Sequence, residues 1–186
     1  MTLLFSLIAL LFSLWTGTPA QNAPATPPQR TLPGIPAPEA TAALREWTVD
    51  GVKRTAIVHK PGTKREGGSP VIFVFHGHGG SARNVERGFA LHDLWPEAIV
   101  LYPQGLAAKT RLDPKGERAG WQLGTGDGDD RDLKFFDAMI ASLRTEGLVD
   151  SSRVYVTGHS NGGAMTYMLS GVRNDVFAAA APSAAA

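Results

Sequence analysis

Val154-Tyr155-Val156-Thr157-Gly158-His159-Ser160-Asn161-Gly162-Gly163-Ala164 is the stretch that decides how this chain reads. A β-branched run suited to a buried strand, Arg153 to Thr157, breaks at Gly158. An apolar helical pattern opens after Asn161, through Ala164, Met165, Tyr167, Met168 and Leu169, with Gly171 as its stop signal. A turn this tight leaves no room for Cβ atoms two residues before and two residues after its apex, where Gly158 and Gly162 stand. The strain lifts the apex residue, Ser160, out of the sheet and makes its hydroxyl a candidate nucleophile. A glycine-rich turn whose serine merely caps a helix would share the pentapeptide. Strand, turn and helix in sequence are the context that the chemistry needs.

A second motif stands upstream. Val71-Ile72-Phe73-Val74-Phe75 is an apolar run suited to a central strand covered on both faces, and it exits into His76-Gly77-His78-Gly79-Gly80. Glycines there let backbone N–H groups approach a ligand closely. A loop in this position and the residue after the nucleophile together hold the oxyanion of acyl transfer. The backbone N–H groups of His78 and Asn161 are therefore the expected donors, with Gly77 and Gly79 as near alternatives and possible pocket residues. His76 is expected to be a structural histidine bonded at the strand end. The His78 side chain either lines the pocket or faces solvent.

Outward from these motifs the chain alternates strand and helix. Trp47–Val49 and Lys53–Val58 flank Asp50-Gly51, which favours a type I′ hairpin. Val71–Phe75, Ile99–Tyr102, Arg153–Thr157 and Phe177–Ala181 supply four more strands, with helices over 84–94, 132–145 and 161–171. The fold class is α/β: a mostly parallel sheet with helices on both faces. Ser160 then lies at the carboxyl end of a strand, where such sheets bind ligands. Asp127, Asp129, Asp130 and Asp132 are grouped before the 132–145 helix, but their spacing does not match a calcium loop. Asp129 or Asp130 is read as its cap and Asp132 as complementing its dipole. Leu133, Phe136, Ile140 and Leu143 form the stripe that faces the sheet. Trp121, in the long loop 103–128, either overhangs the pocket or packs inside.

With 19% charged residues and a net charge of +1, the chain carries no electrostatic footprint for nucleic acid. It has no cysteine, which excludes disulfides and thiolate metal sites, and no metal or cofactor is expected. Leu3 to Trp15 is apolar and too short for a bilayer span, and Thr18 and Ala20 suit cleavage. Residues 1–20 are read as a signal peptide, which implies a secreted or periplasmic protein with no stable membrane span. Residues 21–43, rich in proline, alanine and threonine, are read as a linker, and 44–186 as the globular part.

From His76 to Ala181 the chain resembles the polyhydroxybutyrate-depolymerase-like and feruloyl-esterase-like secreted α/β-hydrolases. Val71–Gly80, Ile99–Gly105, Asp132–Ile140, Val154–Gly163 and Asp175–Pro182 carry the likeness in order. His78 departs from it where relatives often carry cysteine, which leaves the backbone donor untouched. The resemblance implies hydrolysis of carboxylic esters, small or polymeric, through an acylated Ser160. It also implies a triad in the order serine, acid, histidine. The histidines here are His59, His76, His78, His92 and His159, all before Ser160, and Asp175 falls at the wrong end of the sheet. The expectation is thus a partial α/β-hydrolase domain whose C-terminal strands, catalytic acid and histidine are missing, inactive as it stands. The alternatives are a non-catalytic degenerate hydrolase that binds, or a peptidase or acyltransferase on the same fold. The sequence leaves the oligomeric state open.

Overall fold

In the computed structural model, residues 41–111 and 113–185 are described. The expected signal peptide and all but the last three residues of the expected linker lie outside them. The chain runs β1 (Thr41–Val49), β2 (Val52–Lys60), β3 (Ser69–Phe75), α1 (Ala82–Phe89), α2 (Leu91–Leu94) and β4 (Ile99–Pro103). It continues with β5 (Leu106–Ala107), β6 (Ala119–Gly120), a 3-10 turn over Asp127–Asp130, α3 (Arg131–Thr145), β7 (Val149–His159), α4 (Asn161–Val172) and β8 (Ala179–Ser183). The main sheet has the order β1-β2-β4-β3-β7-β8. β4, β3, β7 and β8 are mutually parallel, and β2 joins β4 antiparallel. β5 and β6 pair separately within the long loop after β4. This is the α/β architecture expected.

Local chemistry explains most of these elements. Asp50 and Gly51 both have positive φ, 49° and 76°, and join Val49 to its partner Val52, as a type I′ turn requires. β1 starts at Thr41, three residues before the expected onset of the globular part, because the ladder with β2 continues to Lys60. Side chains alternate along β3, so its two faces enter two cores. Val71, Phe73 and Phe75 pack with α3 and α4 residues such as Phe136, Met139 and Met165. Ile72 and Val74 pack with Ala82 and Val85 of α1. Helices therefore cover both faces. Among the described residues, no helix is long and apolar enough to cross a membrane.

Three expectations need correction. The helix expected over 84–94 is two helices, broken where Ala90 adopts a left-handed conformation (φ 45°). The last strand begins two residues later than expected, because Phe177 turns into the core against Phe136. Gly171 does not end α4, which continues to Val172, and Arg173 then pairs with Asp137.

Topology places the site. From β3 the chain passes over one face, through α1 and α2, to β4. It then returns over the other face, through α3, to β7 on the far side of β3. The loops leaving β3 and β7 therefore diverge at their carboxyl ends and open a crevice between them, the position at which open parallel sheets bind ligands.

Candidate active site

Ser160 stands at that crevice, exposed, between β7 and α4. Its backbone (φ 55°, ψ −120°) lies in a region that non-glycine residues rarely occupy. Close packing holds the strain in place. A Cβ on Gly158 would overlap the Gly162 carbonyl and lie 2.9 Å from Phe75 O, and one on Gly162 would overlap Phe75 O and lie 2.6 Å from His76 O. Both glycines are sterically required, as their spacing indicated. The Ser160 N–H donates to Ser183 O at 2.9 Å, which ties the turn to β8.

The glycine-rich loop lies beside the serine. A Cβ at Gly77 would be 3.5 Å from Ser160 Cβ. The Gly79 N–H already donates to Ala119 O at 2.7 Å, and the Gly80 N–H to Gly77 O at 3.0 Å. Gly79 is thereby removed from the alternative donors. The N–H groups of Gly77, His78 and Asn161 make no hydrogen bond among the described residues, so each has its donor to offer. At Asn161 it is one of the open N–H groups of a helix N-terminus.

The side chains around this loop are fixers. His76 is buried; its Nδ1 lies 2.7 Å from Gly77 O, and its Nε2 accepts the Gly105 N–H at 3.0 Å. Burial, only partly opposed by the Gly77 bond, holds its imidazole below the ordinary histidine pKa. It is the structural histidine expected at the strand end. The His78 side chain is turned from solvent. It is mostly buried, with Nε2 3.2 Å from Asp113 Oδ2. Asp113 also accepts the Arg118 N–H, and that bond with its neighbours keeps its carboxyl below the usual range although burial opposes them.

Trp121 requires a correction as a proposed pocket residue. It is fully buried, edge-on to Phe75, with its indole N–H donating to His76 O at 2.8 Å. A ring this size finds more contact area in the core than over a crevice. Its backbone serves the site instead. The Trp121 N–H donates to Asn161 Oδ1 at 2.7 Å, and Asn161 Nδ2 donates to Trp121 O at 3.1 Å. This paired amide contact clamps the first residue of α4.

The acidic cluster differs in part from its reading, since Asp130 stands at the N-cap position of α3 and Asp132 in its first turn as expected, but the cap bond comes from elsewhere. Asp130 makes no side-chain cap to α3; it accepts from the Gly126 N–H and from Gln122 Nε2. Gln122 caps the helix, its Oε1 accepting the N–H groups of Asp132 (2.9 Å) and Leu133 (3.4 Å). Asp132 is buried and pairs with Arg54 at 2.7 Å. Sequence reasoning missed Gln122, Asp113, the Asn161 side chain and the Arg54–Asp132 pair. Only Arg54 carried a signal, as a lone cation on an inward position of a strand.

Among the described residues, no side chain hydrogen-bonds Ser160 Oγ. His59 and His92 lie at the opposite end of the sheet, since His59 pairs with Val100 near the start of β4. His159 is the residue adjoining Ser160 and is exposed. Asp175 precedes β8 and is exposed, again at the end away from Ser160.

The chain is similar to several known proteins. The sequence model of the prolyl oligopeptidase family matches residues 119–186. NocK of Nocardia uniformis subsp. tsuyamanensis is 32% identical over 155 residues, 78% of this chain and 42% of the relative. Feruloyl esterase B of Piromyces equi is 33% identical over 137 residues, 70% of this chain and 24% of the relative. The chain thus spans less than half the length of these curated relatives. The solved structure of S-formylglutathione hydrolase from Staphylococcus aureus matches with a TM-score of 0.61 at 13% identity, covering 82% of this chain and 61% of that one. That last likeness speaks for the fold alone.

Proposed function

Since this chain belongs to the feruloyl-esterase-like α/β-hydrolases, we propose that Ser160 is the nucleophile of a serine esterase acting on carboxylic esters. The observation that carries the proposal is the exposed, strained Ser160 at the crevice, with unspent N–H groups of Gly77, His78 and Asn161 around it. In this mechanism Ser160 Oγ bonds to the ester carbonyl carbon while its proton passes to a base. The carbonyl oxygen, now anionic, is held by the His78 and Asn161 N–H groups. The carbon–oxygen bond to the alcohol breaks, and the alcohol leaves with that proton. Water then attacks the acyl-serine, gives its proton to the same base, and releases the acid and free Ser160.

None of the described histidines is assigned as that base. His76 and His78 are committed to the loop, and no other described histidine reaches the hydroxyl. Feruloylated or acetylated polysaccharide, polyhydroxyalkanoate and small acyl esters are the substrate classes in view, and export by the 1–20 segment would suit polymer substrates. The match to the prolyl oligopeptidase family favours one second reading, a peptidase built on the same nucleophile.

The test compares the 186-residue chain with a version extended by the sequence following residue 186 in its gene. Each is assayed on p-nitrophenyl acetate, methyl ferulate and a peptide nitroanilide, beside its Ser160→Ala form. The extended form is expected to cleave the esters, with Ser160→Ala lowering kcat by about four to six orders of magnitude. The shorter chain is expected to show no Ser160-dependent turnover. Peptide cleavage without ester cleavage would select the second reading. Ester turnover indifferent to Ser160→Ala would overturn the first.

A further inference from the structure

At the end of the sheet away from Ser160, a cluster of three titratable side chains serves no role in the reaction just described. His59 comes from β2, Glu86 from α1 and His92 from α2. One donor atom from each lies within 4.8 Å of the other two. His59 Nε2 and Glu86 Oε1 are 2.7 Å apart, and the imidazole of His92 stacks on that of His59 with centroids 3.7 Å apart. His59 and Glu86 are buried, each side chain 9% exposed, and His92 is 17% exposed on the side-chain scale. A carboxylate rarely accepts such burial without a cation or strong donors around it.

We propose that His59, Glu86 and His92 form a binding site for a divalent transition-metal ion of the zinc type. Two imidazole nitrogens and one carboxylate oxygen are a donor set that zinc takes readily, with a fourth tetrahedral position left for water. The more exposed edge of His92 gives that position its access to solvent.

Groups behind the three donors hold them as metal ligands are usually held. His92 Nδ1 lies 2.9 Å from Tyr102 Oη, which also receives the Leu91 N–H at 3.1 Å. A hydroxyl oxygen has two lone pairs, so Tyr102 can accept from both and leave His92 Nε2 unprotonated for the ion. Arg83 Nη1 holds the second Glu86 oxygen at 2.9 Å, which leaves Oε1 directed at His59. The backbone contributes as well. Ala90 adopts φ 45°, ψ 36°, a left-handed conformation that an alanine rarely takes, and the resulting break between α1 and α2 swings His92 over His59. Bonds of about 2.0–2.1 Å from nitrogen to zinc would part the stacked rings to roughly 5 Å between centroids. α2, a single short turn, is the element that would carry His92 that far.

The full chain, stripped with chelator, is titrated with Co2+ and then with Zn2+. The expected result is one Co2+ per chain with the intense visible absorption of a four-coordinate site, displaced by one equivalent of Zn2+, and a Zn2+-dependent rise in Tm. His92→Ala should abolish the Co2+ spectrum, and Tyr102→Phe should weaken binding about 10- to 100-fold while leaving the far-UV circular dichroism unchanged. His59→Ala sits deeper and is used only if it folds; the other two variants keep the test decisive. Substoichiometric binding, a spectrum like that of hydrated Co2+, or one-to-one binding that survives His92→Ala would each overturn the site.

Discussion

Asp132→Asn tests how firmly the site is anchored. Asp132 Oδ1 lies 2.7 Å from Arg54 Nη2, and the two side chains are 0% and 1% exposed. Its Oδ2 accepts the Gln122 N–H at 2.8 Å. Burial pulls the Arg54 guanidinium below its ordinary pKa, and the charge of Asp132 is what pushes it back. Asparagine keeps the shape but removes the charge, and its Nδ2 must then face a donor, either Arg54 or the Gln122 N–H. Breaking a buried pair by disabling one partner costs about 3–5 kcal/mol. Arg54 keeps its bond to Arg131 O at 3.1 Å and its seat 4.3 Å over the Phe135 ring, which argues for the lower half of that range, about 3–4 kcal/mol. For a chain of this size each kcal/mol moves Tm by about 2–4 °C, so the expected loss is roughly 6–16 °C. Thermal unfolding followed by circular dichroism measures the Tm, and urea unfolding with tryptophan fluorescence alongside measures the free energy. The double variant Arg54→Met with Asp132→Leu should recover most of the loss, because the desolvation of both charges disappears. A single variant within about 1 kcal/mol of the parent, or a double variant no better than the single, would refute the argument.

Three further outcomes are expected. Gly162→Ala places a Cβ on two carbonyls of the β3 exit, so the protein should either misfold or lose labelling of Ser160 by a fluorophosphonate in the extended form; a folded, fully labelled variant would contradict the packing. Gln122→Ala removes the α3 cap and should cost about 1–2 kcal/mol in urea unfolding; a cost near zero would mean that water replaces it. His76 is held below its ordinary pKa by burial, so the unfolded chain binds its proton more readily. The stability that neutral His76 contributes is complete above about pH 6.5 and falls as pH drops from there towards the folded value. Urea midpoints at pH 7.5 and 5.5 should therefore differ more in the parent than in His76→Asn, and equal differences would show that His76 does not contribute.

The exit loop of β3 explains why some of the site was legible and some was not. Glycines at 158 and 162 are demanded by contacts within one strand-turn-helix unit, so their spacing already implied the strained serine between them. The exclusion of Gly79 depended on Ala119, some forty residues further along, taking the Gly79 N–H. No local pattern contains that bond. Likewise the acidic run looked like a helix cap because capping is a short-range habit of aspartate, whereas a glutamine fixed by tertiary packing took the position.

The sequence by itself determined the alternation of strands and helices, the I′ hairpin at Asp50-Gly51, the covered central strand Val71–Phe75 and the sharp turn at Ser160. Each of these follows from periodicity or sterics over fewer than a dozen residues. Only the tertiary structure decided that Trp121 is buried, that Asn161 is clamped by its amide, that Asp132 neutralises Arg54, and that His59, Glu86 and His92 converge. Those pairings join residues as many as 78 positions apart. Their energies depend on burial and distance, which become defined only once the sheet has closed around them.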